Sequence, residues 1–88
     1  MTPDAVPRVR MGVRASYDQV RESHVVLFPE GVLVLNDTAA AVVDLCDGRT
    51  SVAGIAAKLA ADFDGVELQD VANLVDRLVA RRVVDLDG

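Results

Sequence analysis

The chain has 88 residues, a formal charge of −5 and 51% hydrophobic residues, enough for one modest core and not for two. Its charge is lopsided: residues 1–30 carry four arginines against four acids, and residues 31–88 carry five basic against ten acidic residues. An acidic helical half argues against a phosphate-neutralising surface, no apolar run approaches the roughly 18 residues of a membrane span, and the lone Cys46 excludes an internal disulfide. Prolines and charges stand where a signal peptide needs an apolar centre, so a cytoplasmic protein is expected.

Residues 1–12, interrupted by Pro3 and Pro7, read as an N-terminal arm ahead of a single domain over 13–88. From Val13 the pattern has period two. Val13, Ala15 and Tyr17 fall on one face and Arg14, Ser16 and Asp18 on the other, the mark of a half-buried strand. Val25 to Phe28 is a second strand, Pro29-Glu30-Gly31 a turn, and Val32 to Leu35 a third strand. Short connections make these three an antiparallel meander, in which the last strand lies at an edge.

Asn36 is a helix N-cap and Asp37 places an acid in the first turn, so a helix over 37–47 follows the third strand with almost no loop; Gly48 closes it. A second helix, capped by Thr50 or Ser51, carries the stripe Val52, Ile55, Ala56, Leu59, Ala60 and Phe63 to about residue 62. Asp64-Gly65 breaks it. A third helix over about 67–82 shows Leu68, Val71, Leu74, Val75, Leu78 and Val79 on one side, with acids at its start and Arg81 and Arg82 at its end. Val83, Val84 and Leu86 form a short tail. The fold class is therefore α+β: a three-stranded antiparallel sheet followed by three helices (βββααα), similar to a winged helix-turn-helix.

Reactive groups do not converge anywhere along the chain. His24 is the only histidine and sits at the start of a strand, the acids spread over helix ends and loops, and no Cys or His cluster has metal spacing. Neither catalytic nor metal-ligating residues are assigned, and Cys46, inside the first helix, reads as a small buried hydrophobe. The chain is expected to bind and not to catalyse.

Several blocks together carry a family resemblance: Pro7-Arg8, Gly12-Val13-Arg14, Phe28-Pro29-Glu30-Gly31, Leu35-Asn36-Asp37-Thr38-Ala39-Ala40-Ala41, and Leu45-Cys46-Asp47-Gly48 followed by Thr50-Ser51-Val52. They resemble the PqqD family of pyrroloquinoline quinone biosynthesis from about Pro7 to Val84. Two departures touch helix ends. Ala53 and Gly54 stand where a Glu is common, and the region of Arg82 lacks a Gly often seen there.

The resemblance implies a peptide chaperone, a recognition element for ribosomally made and modified peptides (RiPPs). It implies that the precursor peptide PqqA adds as a strand to the sheet edge and lies in a groove beside the third helix. The partner PqqE, a radical S-adenosylmethionine enzyme with iron–sulfur clusters, then cross-links a Glu and a Tyr of the peptide, so cofactors belong to the partner and none to this chain. Mapped onto this sequence, the peptide site comprises Val32, Leu33, Val34 and Leu35 on the edge strand and Val71, Leu74, Val75 and Leu78 on the helix. The rivals are a recognition element of another peptide-modifying pathway, a DNA-binding winged helix and an acyl carrier protein. The third helix is charge-balanced and Ser51 lacks the Asp-Ser-Leu setting of a carrier, which disfavours the last two. Monomer and dimer are both compatible with an exposed edge.

Overall fold

The computed structural model describes residues 2–87. Eight elements follow in chain order: β1 (Val6–Val9), β2 (Arg14–Asp18), β3 (Ser23–Phe28), β4 (Gly31–Leu35), α1 (Asp37–Leu45), α2 (Val52–Asp62), α3 (Leu68–Ala80) and β5 (Val84–Asp87). Strands β2, β3 and β4 form an antiparallel sheet in that order, and β1 pairs antiparallel with β5 in a second, two-stranded sheet. No helix is long and apolar enough to cross a membrane among the described residues.

The βββααα order is present, framed by a pair of strands that the sequence reading placed in an arm and a tail. Residues 2–12 are no loose arm. Ala5 is 3% exposed and Pro7 is fully buried, and the Arg8 and Arg10 side chains reach Asp87 and Asp85 on β5. The other side of β1 is closed by the α1–α2 link: Val9 N–H donates to the Cys46 carbonyl at 3.2 Å and Gly48 N–H to the Pro7 carbonyl at 3.0 Å. Carbonyls of Pro3 and Ala5 accept from the Ala53 and Val52 amides at 3.0 and 2.9 Å, satisfying donors that the first turn of α2 leaves orphaned.

Local chemistry sets each helix end. The Asn36 side chain accepts from Ala39 N–H at 2.7 Å, and Ser51, not Thr50, caps α2 by accepting from Gly54 N–H at 3.0 Å. Thr50 belongs to the preceding turn. There the Asp47 carboxylate accepts from the amides of Arg49 at 2.8 Å and Thr50 at 2.9 Å, and these bonds hold its pKa below the ordinary value. Gly48, at φ +77°, has the Arg8 methylenes packed over it, 3.3 Å from where a Cβ would stand. Helix α3 closes without a glycine: Arg82 takes φ +62°, its N–H donates to Val79 at 3.0 Å, and Val83 N–H reaches back to Leu78 at 2.9 Å. This is the Schellman pattern, and Val83 and Leu78 make its buried apolar contact.

One core gathers all layers. Val26, Phe28 and Leu35 from the sheet meet Val42 and Val43 of α1, Val52, Ile55 and Leu59 of α2, Val71, Val75 and Leu78 of α3, and Val83 and Val84 at the C-terminal end. Cys46 joins it as a buried small side chain whose S–H donates to the Val42 carbonyl at 3.2 Å. Burial, and then the neighbouring Asp47 charge, pushes its thiol up to about 12. Strand β2 departs from expectation. Ala15 is exposed and Tyr17 is 52% exposed, because β2 is the far edge of the sheet and contributes no residue to the buried core. Tyr17 rests instead edge-on against His24, ring centroids 5.1 Å apart.

Candidate functional site: the open edge of β4 and its groove

The β3–β4 hairpin has only Pro29 and Glu30 between the paired residues Phe28 and Gly31. So tight a closure makes Phe28 and Gly31 a mutually hydrogen-bonded pair, and antiparallel alternation extends that status to Val26–Leu33 and His24–Leu35. Val32 and Val34 therefore turn their N–H and C=O groups away from β3. Since β4 ends the sheet, these groups point at an unpaired edge, ready for another strand.

Both β2 and β4 are edges of this sheet; beside β2, Ala15 and Ser16 meet Ala40, Val43 and Asp44 of α1 across a small cavity of about 210 Å³, and β4 faces the broader wall. A groove of about 380 Å³ runs between β4 and α3, lined by Leu33, Val34, Leu35, Asn36, Thr38, Ala39, Asp70, Leu74, Arg77, Leu78 and Arg81. The α3 contribution is a stripe. Asp70, Leu74, Arg77 and Arg81 recur at i, i+4, i+7 and i+11, one face of a 3.6-residue helix. Val71, Val75 and Leu78 repeat the same spacing one residue later, about 100° around the helix, and face the core. Leu78 lies between the two faces, 1% exposed and at the groove floor.

This geometry divides the eight expected peptide-site residues. Leu33, Val34, Leu35, Leu74 and Leu78 line the groove. Val32 is 47% exposed on the opposite face of β4, and it brings its outward backbone groups and not its side chain to the edge. Val71 and Val75 are corrected: at 2% and 0% exposure they are core residues and line no part of the groove. The apolar side of α3 is wide because it serves core and groove together, and hydropathy alone does not separate the two.

Sequence reasoning missed the polar groove residues Asn36, Thr38, Asp70, Arg77 and Arg81. For Asp70, Arg77 and Arg81 the signal was the shared stripe with Leu74, hidden because polar helix positions read as solvated; Asn36 and Thr38, at the start of α1, carried no such signal. Asp70 accepts from Glu67 N–H at 3.2 Å and so also caps α3. The Arg81 guanidinium sits over the Phe28 ring, 6.0 Å from its centroid. No group of His, Cys, Asp or Glu able to hold a metal occurs among the described residues.

An open strand edge beside an amphipathic helix, in a small α+β domain, is the arrangement that strand addition of an extended segment requires. Comparison with known proteins narrows this further. The family model described as coenzyme PQQ synthesis protein D (PqqD) matches residues 23–84. A protein of Xanthomonas axonopodis pv. citri named PqqA binding protein is 42% identical over 89 residues, covering 98% of this chain and 97% of its own. One of the same name from Kluyvera intermedia is 44% identical over 63 residues, 72% of this chain and 68% of its own. Among solved structures, the PqqD truncation of Methylobacterium extorquens PqqCD superposes with a TM-score of 0.71 at 38% identity, over 91% of this chain and 88% of that one. That structure is described as a functional, stand-alone RiPP recognition element. The chain belongs to the PqqD family.

Proposed function

We propose that this chain is a peptide chaperone of pyrroloquinoline quinone biosynthesis. It binds the precursor peptide PqqA as a fourth strand on β4 and holds it for modification by the radical S-adenosylmethionine enzyme PqqE. The single observation that carries the reading is the open edge at Val32 and Val34 set against the walled groove of Leu33, Leu35, Leu74 and Leu78. Backbone groups at the edge provide affinity for any extended segment, and alternate side chains entering the groove provide selection. The names borne by its relatives point to the same ligand.

The role is to bind and present. The peptide's cross-linking chemistry, with its iron–sulfur clusters and S-adenosylmethionine, belongs to the enzyme, and the setting is cytoplasmic. Titration of the isotope-labelled protein with synthetic PqqA, followed by amide NMR, tests the site. Shifts should centre on residues 32–35 and on the Leu74–Arg81 stripe, with slowed exchange of the Val32 and Val34 amides. Shifts centred on the α1–α2 side, with the β4 edge silent, would overturn the proposal.

A further inference from the structure

The groove has a charged end that strand addition alone does not use. Arg77 and Arg81 lie one turn apart on the groove stripe. Like charges at that spacing repel on a helix. The ion pairs among the described residues join Arg8 to Asp87, Arg10 to Asp85 and Arg21 to Asp18, and none involves Arg77 or Arg81. The groove's own acid pairs with neither: Asp70 is seven residues from Arg77 and eleven from Arg81, about 10 and 16 Å along the helix, and its carboxylate is engaged with the Glu67 amide. In a half-chain with ten acids and five bases, two adjacent unpaired cations in a groove form an island of positive charge. Arg81 is also oriented, its guanidinium over Phe28, which pairs with Gly31 where β4 begins.

We infer that Arg77 and Arg81 receive a carboxylate side chain of the bound peptide, at the end of the groove where β4 starts. This inference rests on the strand-addition reading and adds a selectivity rule to it. Arginine suits the task because its planar fork gives a carboxylate two parallel, charge-assisted hydrogen bonds. Antiparallel addition is the stabler pairing, and it places the start of β4 beside the C-terminal part of the bound segment. Arg77 lies about 4.5 Å and Arg81 about 10.5 Å along the helix from Leu74. Strand residues on one face repeat every 6–7 Å or so. The preferred segment therefore has an apolar residue opposite Leu74, followed two or four positions later by Glu or Asp.

The experiment is calorimetric titration of the full chain with synthetic PqqA and with PqqA variants in which single Glu or Asp residues are replaced by their amides. Proteins compared are the wild type, R77Q, R81Q and the double variant, all at exposed positions and all checked by thermal unfolding. The double variant should bind PqqA roughly tenfold more weakly, on the scale of one or two charge-assisted hydrogen bonds, and with a flatter salt dependence. One amide-substituted peptide should lose a similar factor against the wild type and almost nothing against the double variant. If PqqA binds the wild type and the double variant equally, at low and high salt alike, the carboxylate site falls and the strand-addition site stands. If PqqA does not bind the wild type at all, both fall.

Discussion

Replacing Val34 by proline separates the fold from the binding edge. Proline removes the Val34 N–H, which by the alternation of the β3–β4 ladder has no partner within the chain. The side chain is 54% exposed, and edge strands are where a sheet tolerates proline. The preceding residue, Leu33, is already extended, as proline requires. The fold should lose about 1 kcal/mol or less, which for a domain of this size lowers the melting temperature by roughly 4–8 °C. An added strand, by contrast, loses a hydrogen bond with a net value of about 0.5–1.5 kcal/mol and meets the ring in its path. PqqA should therefore bind about tenfold more weakly, or worse, in calorimetric titration. L33P is the opposite control. It deletes an amide that bonds across to fully buried Val26, so an unpaired buried carbonyl costing about 1–3 kcal/mol remains and the fold itself suffers. A V34P protein that melts near wild type and binds PqqA with unchanged affinity would refute the assignment of the β4 edge.

Two further outcomes concern the scaffold. Arg82→Gly should raise the melting temperature by several degrees, because Arg82 holds φ +62° and a left-handed conformation costs an L-residue about 1 kcal/mol or more, only partly offset by the greater freedom of unfolded glycine. Cys46 should resist iodoacetamide in the folded protein and react only as the chain opens, being 4% exposed with its thiol raised from the ordinary value of 9.0 to about 12. The unfolded thiol loses its proton first, so between those two values the unfolded chain binds fewer protons and stability falls as pH rises, by up to about 1.4 kcal/mol per unit. Denaturant melts across that range should show this slope in the wild type and lose that part of it in C46A.

Where local chemistry and burial agree, the sequence alone is legible. Asn36 and Ser51 do cap helices, Gly31 does take positive φ in its turn, and the β4-to-α1 junction falls where the Leu35-Asn36-Asp37 run places it. Gly48 also takes positive φ but does not close α1, which ends at Leu45 with Cys46 as its cap. Legibility fails where one apolar surface has two uses, as on α3, and where a segment is held by distant partners. Residues 2–12 are the clearest instance. Pro3, Pro7, Arg8 and Arg10 suggest a partly ordered arm, yet pairing with β5, some eighty residues away in the chain, buries Ala5 and Pro7 and covers Val83, Val84 and Val52, each 0% exposed. No pattern within eleven residues encodes a partner that remote. The magnitudes then argue against a dispensable arm. Uncovering even two of those valines costs about 3–6 kcal/mol at the usual value for a buried aliphatic side chain, before the lost bonds to the Val52, Ala53 and Gly48 amides are counted. Whole-domain stability at this length is about 4–13 kcal/mol. A chain beginning at Val13 should therefore melt far below the full chain or fail to fold, and it should lose PqqA binding although every groove residue is retained. Circular dichroism melts of the two proteins decide it, and a truncated chain that melts within a few degrees of the full one would show that β1 only decorates the fold.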